Sequence, residues 1–115
     1  MAVIATITTS VRISEGGVES EFYPVTRDRI SCGSGLPKRE VVTVSTPFTA
    51  LTPPTNAVRV VIDPGGAAGL TLKGASGDTG TTLAAGGVVS IPLGTSPSLT
   101  LAKASGSATV TVIWL

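Results

Sequence analysis

Val58-Arg59-Val60-Val61-Ile62-Asp63-Pro64-Gly65-Gly66 carries, in nine residues, the pattern that most of the chain repeats. Val58, Val60 and Ile62 alternate, so an extended backbone sends all three to one face. The Asp-Pro-Gly-Gly run then stops the strand. Pro fixes φ and has no N–H, and Gly accepts the left-handed conformations of a tight turn. A core strand closed by a turn is predicted here.

Outward from this stretch the same grammar recurs. Val42 and Val44 alternate with Thr43 and Ser45, and residues 47–54 read as an extended connection rich in Pro and Thr. Leu70 and Leu72 precede a Gly-rich turn from Gly74 to Gly80. Val89, Ile91 and Leu93 follow, with Pro92 marking an edge strand or a bulge. Leu99 and Leu101 come next, and Ala108, Val110, Val112 and Trp114 close the series. At the other end, Val3, Ala5, Ile7, Val11 and Ile13 alternate with Thr6, Thr8, Ser10 and Arg12, predicting a strand with a core face and a wet face. Glu15-Gly16-Gly17 supplies its turn. About eight strands at spacings of roughly 8 to 15 residues indicate a β-sandwich or barrel. The expected fold is therefore all-β: a single Greek-key or jelly-roll-like β-sandwich domain over residues 1–115.

Composition points the same way. β-branched Val, Ile and Thr are abundant, Gln is absent, and there are four Glu and three Lys. Such residues suit a pleated, half-buried surface better than a helix. A length of 115 residues is enough for one hydrophobic core.

Charge is unevenly placed. Ten of the fifteen charged residues lie in the first 40 positions. Residues 18–40 are the least regular part, crowded with Glu19, Glu21, Arg27, Asp28, Arg29, Lys38 and Arg39 and containing the flexible run Ser31-Cys32-Gly33-Ser34-Gly35. The ends of this segment read as short strands and its middle as a long irregular loop or an arm, ahead of a regular β core at 41–115. Partner contacts through an extended segment are expected here, with Phe22, Tyr23, Arg27, Arg29, Lys38 and Arg39 as candidates. Trp114 is a further candidate contact, and its alternation with Val110 and Val112 suits a core position equally well.

Several functions lack their chemistry. The net charge of +1 is not gathered into a basic block and aromatics are few, which disfavours nucleic acid. No stretch approaches the roughly 18 apolar residues of a membrane span, and the opening residues lack a basic signal region. One cysteine leaves no internal disulfide, and without histidine neither Cys32 nor any serine has its usual activating base. Glu15, Glu19 and Glu21 are close together but face no evident second group. Gly74-Ala75-Ser76-Gly77-Asp78-Thr79-Gly80 could be a cation or anion loop, yet it offers one carboxylate and no Lys followed by a helix, so a turn is expected. No catalytic, cofactor or metal residue is predicted, and the chain is read as a non-enzyme. The strands from 41 onward carry few charges to guard their edges. A symmetric homo-oligomer would protect them.

The runs Asn56–Asp63, Leu70–Gly80 and Ala108–Leu115 resemble small virion proteins of tailed bacteriophages, most of all capsid decoration (cement) proteins of phages infecting high-GC Gram-positive bacteria. The resemblance spans roughly residues 47–115. It rests on the Gly-Asp-Thr-Gly turn between strands and on a terminal strand ending in an apolar pair. It implies a β-sandwich or β-tulip body, often trimeric, on the outside of a capsid, with the major capsid protein and further copies of itself as partners. Such a protein would be made in the host cytoplasm and would end up in the virion. It would have no catalytic residues, and residues 18–40 would be an arm on the shell or on a neighbouring subunit. The resemblance equally admits a minor tail or baseplate component or a host-glycan-binding module, for which Phe22-Tyr23 is the available aromatic pair.

Overall fold

The computed structural model describes residues 3–75, 77–95 and 97–115, apart from the side chains of residues 22–24. Ten antiparallel strands follow one another: β1 (Val3–Glu15), β2 (Val18–Cys32), β3 (Lys38–Ser45), β4 (Phe48–Leu51), β5 (Arg59–Asp63), β6 (Leu70–Lys73), β7 (Thr81–Leu83), β8 (Val89–Pro92), β9 (Leu99–Lys103) and β10 (Ser107–Trp114). No helix occurs among the described residues, so none is long and apolar enough to cross a membrane.

The last eight strands form two four-stranded sheets, ordered β3-β10-β5-β8 and β4-β9-β6-β7. Their hairpin partners are nested: β3 with β10, β4 with β9, β5 with β8, and β6 with β7. A chain doubled back on itself in this way and then rolled up, so that β10 also meets β5 and β9 also meets β6, is a jelly roll. The expectation of an all-β sandwich is met. The residues 47–54 read as a connection contain β4, and β7 follows the Gly-rich turn.

The core lies between the sheets and is built from alternate residues of the strands. Val44, Val60, Ile62, Leu70, Leu101, Val110, Val112 and Trp114 are fully or almost fully buried, with Leu51 and Leu83 close behind. Val58, predicted to share the Val60 face, is instead exposed just before β5 begins. Pro92 sits on the edge strand β8, where its missing N–H interrupts no ladder.

Trp114 is 0% exposed, which settles it as a core residue and removes it as a surface contact. Its indole N–H donates to Glu40 Oε1 on the neighbouring strand at 2.8 Å. A buried indole needs such a partner, and none of the buried side-chain polar atoms described is left without one.

β1 and β2 stand apart as a two-stranded sheet. This differs from expectation in two ways. Residues 18–32, read in their middle as an irregular loop, are one continuous strand, and just 33–37 separate it from β3. Likewise, the alternating face of β1 joins no core of its own chain: Val3 and Val11 remain 47% and 45% exposed. In place of an irregular segment there is a regular two-stranded ribbon. Thirteen residues of β1 extend about 44 Å at the usual strand rise. The radius of gyration is accordingly 16.0 Å, against roughly 13 Å for a compact domain of this length.

Replacing Trp114 with Ala is expected to cost about 3–5 kcal/mol of stability. Glu40→Leu should cost about 1–3 kcal/mol by orphaning the indole N–H, and Glu40→Gln, which keeps an acceptor, should cost less. Urea unfolding of the three variants checks the order; equal losses for Leu and Gln at position 40 would contradict it.

Candidate functional site

The projecting ribbon of β1 and β2 is the feature that the jelly roll itself does not explain. Its hairpin turn is Gly16-Gly17, with φ of 60° and 81°. Two consecutive positive φ values define the tight turn whose twist matches that of the strands it joins, and glycine adopts them without a Cβ clash. The pairing then runs from Glu15↔Val18 down to Val3↔Cys32, with irregularities on either side of Val11. Pro24 lies in the skipped stretch, where a residue without an N–H is tolerated.

Cross-strand partners share a face. Val3, Ala5 and Ile7 therefore lie with Cys32, Ile30 and Asp28, while Thr6 and Thr8 lie with Arg29 and Arg27 on the other side. Beyond the irregularity Val11, Ile13 and Val18 continue the apolar face, and Arg12, Glu19 and Glu21 occupy the polar one. The segregation is partial: Ile4 lies on the polar face, and Asp28 and Glu15 lie on the apolar one. The ribbon's base half is partly shielded, with Ala5, Ile7, Ile30 and Cys32 half-buried and Val3 and Ile4 exposed. Its distal half is open: Val11, Ile13 and Val18 are 45%, 41% and 71% exposed.

Among the described residues, several contacts hold the base to the body, Cys32 packing against the core cluster. Leu36 inserts into the core cluster, its N–H turned back to the Gly33 carbonyl at 3.1 Å. Arg59, at the start of β5, reaches Asp28 Oδ2 at 3.5 Å and donates to Ser90 Oγ at 3.0 Å. Gly33 packs so closely on Asn56 that an added Cβ would lie 2.9 Å from the Asn56 Cβ. At the tip, Arg12 and Glu19 form an ion pair on the charged face. Both are about half exposed, and a pair so placed adds at most about 1 kcal/mol.

The sequence-derived contact candidates divide between two places. Arg27 and Arg29 lie exposed on the polar face of the ribbon, and Phe22 and Tyr23 are on β2, with their side chains outside the described part. Lys38 and Arg39 open β3, where Lys38 Nζ lies 3.5 Å from Glu40 Oε2. Sequence reasoning missed the exposed valines and Ile13 as contact residues, because their alternation is indistinguishable from that of a core strand. Glu15, Glu19 and Glu21 sit on this ribbon tip, Glu19 paired with Arg12. Cys32 is half-buried and its thiol faces the Ile30 carbonyl at 3.8 Å.

The Gly74–Gly80 loop is a turn, as expected. Asp78 Oδ2 accepts from the Ala75 N–H at 2.8 Å, and the Asp78 N–H donates to the Ala75 carbonyl at 3.1 Å, so the turn is closed by bonds between its own residues. No group of three or more His, Cys, Asp or Glu that could hold a metal ion occurs among the described residues. The concavities of the body are open and shallow. One is lined by Pro47, Thr71, Lys73, Ala102 and Lys103, another by Lys38, Glu40, Val42, Leu51 and Pro53, and a third by Pro53, Asn56 and Pro97. Lys103 is engaged with the Ala68 carbonyl at 2.8 Å. No protein-family model, curated protein or solved structure matches the chain.

Gly80 has φ of 75°, and a Cβ there would collide with the Leu72 carbonyl oxygen, whereas Gly77 has open space around it. Gly80→Ala should therefore lose at least about 1–3 kcal/mol of stability, and Gly77→Ala less than about 0.5 kcal/mol. Thermal unfolding of the two variants separates them. Millimolar calcium should leave both melting curves unmoved, and a calcium-induced upshift in the parent chain would overturn the turn reading.

Proposed function

We propose that this chain is a structural component of a protein assembly, and specifically a phage virion protein that decorates and reinforces the outside of a capsid. The observation that carries the docking part of this reading is the ribbon: an amphipathic arm whose distal apolar face finds no cover in its own chain. A lone two-stranded ribbon is marginal in water, so an arm of this length gains its order from whatever it packs against. The body supports the same view. Its outer faces combine threonines such as Thr43, Thr109 and Thr111 with exposed apolar side chains such as Val41 and Phe48.

The virion setting comes from the sequence resemblance, and the jelly roll is compatible with it, being an architecture used in capsid and lectin domains alike. A fold alone does not choose between those uses. The non-enzymatic part of the reading rests on the absence of histidine from the sequence and on carboxylates that are spread out or paired. The mechanism is mechanical. A protein that binds only the assembled shell stabilises that state by mass action, because the buried contacts must be re-exposed before the shell opens.

Quantitative mass spectrometry of purified particles tests the setting. A copy number in a simple ratio to the major capsid protein is expected; a handful of copies would move the chain to the tail, and its absence would end the virion reading. The docking part has its own test. Ile13→Asp, on the exposed ribbon face, should weaken binding to particles at least tenfold, the effect of roughly 1.4 kcal/mol, while the melting temperature of the body stays within a few degrees.

A further inference from the structure

We infer that the distal half of the ribbon docks on strand β3 of a second copy of this chain, each copy giving one arm and accepting another. The inference rests on the reading of the ribbon as a docking arm and names its occupant. Three observations carry it.

The first is the acceptor. The body has four sheet edges, β3, β8, β4 and β7. β8, β4 and β7 are 4, 4 and 3 residues long, and β8 carries Pro92, so each is blunted in the usual ways. β3 has 8 residues and no proline. Its outward row is Arg39, Val41 and Thr43, and Val41 is 64% exposed. Across from Val41 on this outer face lies Thr111, and the half-buried Ile113 and Val61 lie one pair along, across from Arg39. A long open edge with an apolar centre is a template for another chain.

Charge is the second observation. The tip carries Glu15, Glu19 and Glu21 against Arg12, a net charge of −2. Residues 33–115 carry Lys38, Arg39, Arg59, Lys73 and Lys103 against Glu40, Asp63 and Asp78, a net charge of +2. Lys38 and Arg39 stand at the start of the open β3 edge, beside Val41. An acidic, valine-rich tip and a basic edge centred on valine are complementary in both respects.

The third is area. The chain exposes 7007 Å², whereas a compact protein of its mass exposes roughly 5,800 Å². The excess, roughly 1,200 Å², exceeds the roughly 800 Å² that each partner contributes to a standard specific interface. Mutual exchange of arms closes a two-fold dimer, and head-to-tail passing of arms closes a small ring.

Sedimentation equilibrium of the purified full chain, with the Val41→Lys, Glu15→Lys/Glu21→Lys and Lys38→Glu/Arg39→Glu variants, tests this directly. Lys38 pairs with Glu40 at 3.5 Å, the other substituted side chains enter no hydrogen bond or ion pair among the described residues, and circular dichroism checks that each variant is folded. A closed oligomer is expected for the parent chain. Val41→Lys and each charge reversal should weaken it at least about tenfold at low salt, and combining the two charge reversals in one chain should restore it. A parent chain that stays monomeric at hundreds of micromolar, or an oligomer indifferent to all the variants, overturns the inference. Monomers that still bind particles through Ile13 would assign the arm to a foreign surface, overturning the inference and leaving the docking reading intact. Oligomers that bind no particle would do the reverse for the virion setting.

Discussion

The ladder between β3 and β10 is the constraint on which the rest of the molecule depends. Lys38 through Ser45 pair, residue for residue, with Ser107 through Trp114, the longest pairing in the jelly roll. It joins the first body strand to the last, and the inner pairs β4·β9, β5·β8 and β6·β7 nest within it. The same ladder sets Glu40 where it can accept the Trp114 indole N–H, so the largest buried side chain enters the core with its polar atom satisfied. A closure between such distant segments has an entropic cost, which the apolar burial between the sheets offsets.

That closure also dictates what stays outside. With β3 at an edge of its sheet, the chain preceding it has no place between the layers, and the ribbon leaves the body through the short segment 33–37. Leu36 in the core and Arg59 bridging Asp28 to Ser90 fix the departure, and Gly33 allows the close passage over Asn56. An anchored base with an open tip suits an element that must be presented in one direction and still meet a partner.

Much of the candidate site was written in the sequence, though under another meaning. The alternation of Val3, Ala5, Ile7, Val11 and Ile13 was legible as a strand with one apolar face, and Gly16-Gly17 as its turn. Whether that face packs inside the chain or against another is not encoded in a period of two, because both demand the same spacing. The charges of residues 18–40 were legible as a sign of an exposed segment, and their density read as irregularity. A ribbon exposed on both faces tolerates charge at nearly any position, so Glu19, Glu21, Arg27 and Arg29 sit in a regular strand without penalty. For Trp114 the sequence left core and contact open, and only the β3–β10 register resolved it.

The sequence by itself determined the class of fold. Its alternating valines, isoleucines and threonines, punctuated by Asp-Pro-Gly-Gly and Gly-Asp-Thr-Gly turns, leave extended strands and tight reversals as the conformations that place apolar groups together. It also determined the local chemistry, because a chain without histidine lacks the commonest base and metal ligand wherever it folds. The tertiary structure alone decided which strands neighbour which, and hence that two of the ten stand outside the roll. Strand order depends on pairings between residues dozens of positions apart, and the identity of one strand carries almost no information about its distant partner.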